Sequence, residues 1–419
     1  MVRMGFTGSR TLRGAASAFA MALTLAGGAL GGAALIATPA AAQEYTKKFV
    51  EVYQPVATIV STEGGDLDAA RGQLEGVYAA IGSEDDRNAA GSLTLNIGTK
   101  LSDKSLQRRG LEMMLQSGKV APEQQAQFQF FVGNLAYDAN DYAAARTALQ
   151  AAYDAGYREQ DVRPIIAESY FGEGQNPQGI AYIEKLVAEQ QAAGEPVNEN
   201  LIRRALRFAY EGKDAAKSTE LSALLISTNP SAESWKQGLQ VVNAMVDLEP
   251  QAQLDLLRLM LVTDSLSERS EFVTYIEAAD VRVMSNEVQR VLAKGLEKGI
   301  FTASDDYYSE LKRLADQRAP IDAREAPGLV TEARSAAQGN AAQGAGDVQL
   351  SLADYAQAEA MYQLALEKGV TDRDRNLTRL GIAQAMQGKG AEAKATLEQV
   401  AGARAPVARM WMAYVDTKA

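Results

Sequence analysis

The sequence predicts an all-α fold in which short helical hairpins stack into a solenoid. Three observations carry this prediction. Beyond residue 43 the chain is rich in Ala, Leu, Gln, Glu, Lys and Arg, the strong helix formers, and poor in runs of Val, Ile and Thr. Gly and Asn-Pro marks interrupt it every 12 to 20 residues, the spacing of many short helices. A pattern of small residue, turn, then apolar residues on one helical face recurs every 34 to 35 residues.

The elements follow in chain order. Met1 to Arg13 carries Arg3, Arg10 and Arg13 and no acid, and residues 14–42 are uncharged and rich in Ala, Gly and Leu. With its Ala40-Ala41-Ala42 end this reads as a signal peptide, with cleavage expected between Ala42 and Gln43 and export to a bacterial periplasm. No later apolar stretch approaches the ~20 residues of a membrane span, so the mature chain is expected not to be membrane-embedded. Residues 54–80 read as a first, capping hairpin: Gly64-Gly65-Asp66-Leu67 forms the turn, and Ala70, Leu74 and Val77 share one face. The clearest repeat follows, with Gly133 in mid-helix, a turn at Asn140-Asp141-Tyr142, and Ala145, Leu149 and Ala152 on one face. A shift of 34 gives Ala167, the turn at Gly174-Gln175-Asn176-Pro177, then Gly179, Ile183 and Leu186. A backward shift of 35 gives Gly98, followed by Gly110, Met114 and Ser117. Phe128, Phe130 and Phe131 have the spacing of core residues.

Residues 201–225 read as another hairpin ended by Asn229-Pro230. The period fades between 231 and 320, where helices are expected at 231–246 (with Trp235), 251–261, 272–279, 287–299 and 305–317, the last opening at the capping acids Asp305 and Asp306. Pro320 and Pro327 predict a loop over 317–327, and the small residues of 339–346 predict a bend. The period then returns: Gly346, the turn at Ala353-Asp354-Tyr355, and Ala358, Tyr362 and Ala365; then Gly381, Gly388-Lys389-Gly390, and Ala393, Leu397 and Val400. Trp411 and Tyr414 are expected to seal the last hairpin on a capping helix.

Leu380-Gly381, Ala358-Tyr362-Ala365 and Asn140-Asp141-Tyr142 resemble the tetratricopeptide repeat family. Gln129 and Ala136 depart from the pattern, standing where the family carries large or aromatic residues. The resemblance implies a right-handed superhelix. It divides the chain into a leader (1–42), N-terminal repeats (43–230), degenerate repeats or a central helical segment (231–327), and C-terminal repeats with a capping helix (328–419).

Composition narrows the chemistry. The 419 residues contain no Cys and no His and carry a formal net charge of -11. That excludes disulfides, Cys/His metal sites, and Ser-His-Asp or Cys-His catalysis. The acidic balance argues against nucleic acid as a partner. No alternation of acids around a Gly suggests a calcium loop, and no cofactor is expected. Glu168, Ser169, Tyr170 and Glu173 read as the solvated face of a repeat helix. The first helices of such hairpins line a concave surface, so Arg203, Arg204 and Arg207 on one helix and Arg108 and Arg109 on another are candidates to grip an acidic group of a partner. The reading that follows is a periplasmic, non-enzymatic scaffold binding other proteins of the cell envelope, with roles in envelope assembly or in polysaccharide or protein export implied by the resemblance. The alternatives are a glycan or small-ligand binder, or an enzyme acting on cell-wall glycan.

Overall fold

The computed structural model describes residues 44–418, so the expected leader lies outside the described residues. The described residues form twenty α-helices and one short 3-10 turn, with no strand among them. Thr46–Ala419 is one compact unit. In order the helices are α1 (Lys47–Ser61), α2 (Leu67–Ala79), α3 (Glu84–Leu101), α4 (Lys104–Gln116), α5 (Pro122–Asp138), α6 (Tyr142–Asp154), α7 (Arg163–Gly172), α8 (Asn176–Ala193), α9 (Glu199–Glu211) and α10 (Ala215–Thr228). There follow α11 (Ala232–Met245), α12 (Pro250–Val262), α13 (Arg269–Ala279), α14 (Ser285–Glu297), α15 (Asp306–Ser335), α16 (Gly339–Ser351), α17 (Tyr355–Glu367), α18 (Arg373–Met386), α19 (Gly390–Leu397) and, after the 3-10 turn Gly402–Arg404, α20 (Ala405–Asp416).

One local device makes most of the hairpins. Eight times, a residue in the left-handed region ends the first helix: Ser102, Asn140, Gly174, Lys213, Asp264, Gly299, Ala353 and Gly388. The next residue donates its N–H to a carbonyl five residues back, as Asp141 does to Ala136 at 2.9 Å and Asp354 does to Gln349 at 2.9 Å, satisfying an otherwise orphaned helix-end acceptor. At α4, α6, α10 and α17 that next residue is an Asp, and its carboxylate caps the N-terminus of the second helix. The turn therefore closes one helix and opens the other with two residues. It recurs in the stretch where the sequence period fades, at Asp264 and Gly299, 35 residues apart.

Packing within the hairpins rests on close approach. A Cβ on Gly133 would lie 2.6 Å from Leu149 Cγ, one on Gly346 2.7 Å from the Tyr362 ring, and one on Gly381 2.5 Å from Leu397 Cγ. The small residue in the first helix is thus the hole for the large residue in the second, as the repeat predicts. Gly98 is a correction. The left-handed turns at Ser102 and Asn140 are 38 residues apart, not 35. Gly98 accordingly sits beside Leu106 and Gln107 near the turn, and Leu95 holds the place of Gly133, packed against Gly110.

Two expected interruptions are helical. Residues 317–327 continue α15, which runs 30 residues with Pro320 and Pro327 inside it. Each proline leaves one carbonyl without its helical donor, at Asp316 and Ala323. Both prolines and both of those residues face solvent, where water serves as donor, while Ala315, Ala319, Ala326, Val330 and Ala333 bury the opposite face. Residues 339–346 open α16 rather than bend: a Cβ on Gly339 would meet the Ala365 carbonyl at 2.2 Å, so the small residues serve close packing on α17.

The stack does not run straight to its end. One hydrophobic core extends from Ile226 through α12 to Ala413. Helix α12 is buried all round, Leu254, Leu256, Leu257, Leu259 and Met260 being inaccessible to solvent. Helix α20 packs on α10, α12, α18 and α19. Trp411 therefore does more than seal the last hairpin: fully buried, it donates its indole N–H to the Asp255 carbonyl of α12 at 2.9 Å.

Candidate functional site

The sequence candidates fall into two groups that the fold keeps apart. Arg203, Arg204 and Arg207 lie half-buried on α9, a first helix. Arg204 makes a two-pronged pair with Glu168 of α7 at 2.7 and 2.6 Å, and its guanidinium lies 4.7 Å over the Phe208 ring. Arg203 reaches forward to α11, to Ser234 at 3.1 Å and to the Gln237 amide oxygen, while pairing with Glu199 at 3.5 Å. Arg207 sits 3.6 Å from Glu211, with its guanidinium 5.0 Å from the centre of the Phe208 ring. These contacts link α9 to α7 on one side and to α11 on the other. The expected solvated acids take part: besides Glu168 with Arg204, Glu173 pairs with Arg146.

Arg108 and Arg109 lie on α4, a second helix. Arg108 bridges to the capping Asp141 of α6 at 2.8 Å and to Glu112 at 2.7 Å. Arg109 pairs with Glu75 of α2 at 2.7 Å and lies 3.9 Å over the Tyr78 ring. They tie second helices together as the α9 arginines tie first helices.

Beside Arg203 the ends of α8, α9 and α10 enclose an open groove of about 510 Å³, lined by Gln191, Glu195, Val197, Glu199, Ser227, Thr228 and Asn229. Its walls offer amides, hydroxyls and carboxylates. Asn229 and Glu199 bond each other across it.

The most heavily charged part of the molecule is one that sequence reading does not single out. Asp255 of α12, fully buried, receives three guanidinium groups: Arg258 at 2.6 Å, Arg379 of α18 at 3.1 Å and Arg404 of the 3-10 turn at 2.7 Å. Arg258 continues to Glu287 of α14 with two bonds of 2.7 Å, and Glu287 accepts from the Tyr275 hydroxyl at 2.8 Å. Arg379 continues to Asp347 of α16 at 2.7 Å, which also holds Arg375 at 2.5 Å and Tyr362 at 2.8 Å. Burial alone would raise these carboxyls. The guanidinium groups around them outweigh it and hold Asp255, Glu287 and Asp347 below the usual carboxylate range. Such carboxyls stay ionised, the opposite of what a general acid acting on glycan requires. A signal for this cluster does exist in the sequence. Asp255 and Arg258, one turn apart, are charges in a helix that is otherwise Leu254, Leu256, Leu257, Leu259 and Met260, so both must be buried and paired.

The fold is that of an all-α solenoid of helical hairpins. Its helix α12 packs on α11, α13, α18 and α20 and reaches α14 through the Arg258–Glu287 pair. The first helices of the N-terminal half have no such partner from a distant part of the chain among the described residues. No protein-family model matches the chain, and no curated protein matches it. Among solved structures it is similar to the C-terminal part of a TPR repeat-containing protein from Cytophaga hutchinsonii, at 14% identity over 77% of this chain and 97% of that one, with a TM-score of 0.30. It is also similar to the TPR2AB domain of yeast Sti1 in complex with a pHSP90 partner (15%; 71% and 94%; TM-score 0.25). A third likeness is to Naa15/Naa10 bound to HypK-THB (11%; 83% and 62%; TM-score 0.30). At these scores and identities the likenesses add nothing to the fold that the solenoid's own helices establish. Among the described residues, no cluster of acids could hold a metal ion and no helix is long and apolar enough to cross a membrane.

Proposed function

We propose that this solenoid is an exported scaffold of the cell envelope that binds another protein along the first-helix face of its N-terminal half. The observation that carries this reading is the division of the molecule into a self-filled half and an open one. Helix α12 is sequestered against α11, α13, α18 and α20, and the face left for a partner is the one built by α3, α5, α7 and α9. On that face Arg203, Arg204 and Arg207 are half-exposed, and their present partners Glu168, Glu199 and Glu211 are their own chain's acids. An acidic segment of a partner would exchange for Glu199 and Glu211 at little cost, since their single contacts of 3.5 and 3.6 Å to Arg203 and Arg207 contribute only about 0–1 kcal/mol each. Export rests on the arginine-led, uncharged leader with its Ala40-Ala41-Ala42 end.

The test is affinity capture from native envelope extract, with residues 43–419 as bait and an Arg203→Glu/Arg207→Glu variant beside it. The expected outcome is a specific protein retained by the parent and lost by the variant. Export is checked by N-terminal sequencing of the chain from the envelope fraction, where a start at Gln43 is expected and an intact Met1 start would sink it. The groove at Gln191, Glu199 and Asn229 favours a second reading, a glycan or small polar ligand. Its amides and hydroxyls match sugar hydroxyls, and carry-over of glycan with the bait, unaffected by the double charge reversal, would select it.

A further inference from the structure

A second groove, of about 290 Å³, lies between α2, α3 and α4 and is lined by Tyr78, Ile81, Arg87, Arg109 and Met113. From its position and charge the geometry points to a binding site for a small monocarboxylate with an apolar body.

Arg87 is the first reason. It is half-buried in the groove wall, and its guanidinium has no ion pair or hydrogen bond among the described residues. The neighbouring acids of α3 are engaged elsewhere. Asp85 pairs with Lys119 at 3.3 Å, and Asp86 is turned to the Thr46 hydroxyl at 2.7 Å and to the backbone N–H groups of Thr46 and Gly82 at 3.0 Å. A half-buried Arg without a carboxylate is a conspicuous gap in a chain with 53 acids and 42 bases.

The second reason is the shape and charge of the rest of the groove. Arg109 is fixed flat over Tyr78 and already matched by Glu75. The Tyr78 hydroxyl is committed to Thr94 Oγ1 at 2.9 Å, since that threonine gives its own proton to the Ala90 carbonyl. The positive charge left unmatched is therefore one, which suits a carboxylate rather than a doubly ionised phosphate. Arg87 supplies the planar fork for it. Tyr78, Ile81 and Met113 supply an apolar wall, and the space equals that of roughly ten waters, enough for a single ring or a short aliphatic chain.

Calorimetric titration of the purified chain with 3-phenylpropanoate tests this, beside 3-phenylpropanamide and phenyl phosphate. One-to-one binding of the carboxylate is expected, weakened about 10- to 100-fold by Arg87→Gln, the loss of one charge-assisted contact. Arg87→Lys is expected to retain part of it. Glu75→Gln, which removes the internal competitor for Arg109, is expected to strengthen binding by up to about fivefold. Arg71→Gln, on α2 but paired with Asp68 outside the groove, is the control for diffuse charge and is expected to change nothing. Unchanged helical circular dichroism shows that each variant folds. Any of four outcomes overturns the assignment: no binding of the carboxylate by the parent, equal binding of the amide, equal weakening by Arg71→Gln, or tighter binding of the phosphate.

Discussion

At the scale of single residues the molecule turns on Asp255. It is the one carboxylate shared by three buried guanidinium groups, and its backbone carbonyl also holds Trp411. Asp255→Asn keeps the shape but leaves three cations without their shared anion. It is expected to destabilise the fold by about 3–5 kcal/mol, the cost of an uncompensated buried charge, read as a lower urea midpoint. The same cluster sets a pH dependence. Asp255, Glu287 and Asp347 have folded pKa values below their unfolded ones, so in acid the unfolded chain binds more protons than the native one. Their contribution is complete above the unfolded carboxylate range of about 4 and is lost as pH falls through the depressed folded values. Urea midpoints should be flat from neutrality to about pH 5 and decline below pH 4, and the Asp255→Asn variant should show a shallower decline. A midpoint that rises on acidification would refute this account of the cluster.

At the scale of the hairpin, the turn is the unit of design, and two substitutions probe it. Ala353 adopts φ 61°, a conformation that costs an L residue about 1–2 kcal/mol and glycine almost nothing. After the extra chain entropy of glycine, Ala353→Gly is expected to stabilise by about 0.5–1 kcal/mol, seen as a raised melting temperature. Gly346→Ala places a Cβ against the buried Tyr362 ring, which its bond to Asp347 holds still. It should destabilise by about 1–3 kcal/mol. These local features are also what the sequence exposes. Asn140-Asp141 and Ala353-Asp354 are visible as turns, and Gly133, Gly346 and Gly381 as the paired small residues, because turn chemistry and helix spacing are written within 20 residues of chain. Ser102 and Lys213 carry no such mark, and the 38-residue step at Gly98 follows from a hairpin of different length. The prolines of α15 misled for a similar reason: their cost depends on which face meets water, a fact of tertiary packing. The charged cluster was hidden further still. Arg379 and Arg404 look like ordinary surface charges until α12 is placed against them, more than 120 residues away in sequence. The candidate arginines of α9 were legible as a shared helical face, but their acids on α7 were separable from solvated charge only in three dimensions.

At the scale of the whole molecule, the two halves should differ in how they open. The N-terminal hairpins touch mainly their neighbours, as in any solenoid, whereas α12 is held by α13, α18 and α20 together. Hydrogen exchange should find the amides of α12 among the slowest and those of α1 and α2 among the faster ones. Removing residues 405–419 should release the protection of α12 and leave α3 to α8 unchanged. A uniform loss along the chain would mean that the two halves unfold as one.

The enclosure of α12 also orders events during synthesis. The N-terminal hairpins can form as each is completed, because their contacts are near in sequence. Helix α12 cannot. Two of its three guanidinium groups and its tryptophan arrive only with Arg379, Arg404 and Trp411, and at about 5–20 residues per second the interval is roughly 10–30 s. For that time a helix with five buried Leu and Met side chains and a charged pair made for burial stands without its shelter, and the nascent chain is at its most vulnerable to misassociation. The last fifteen residues are the latch on which the finished core waits.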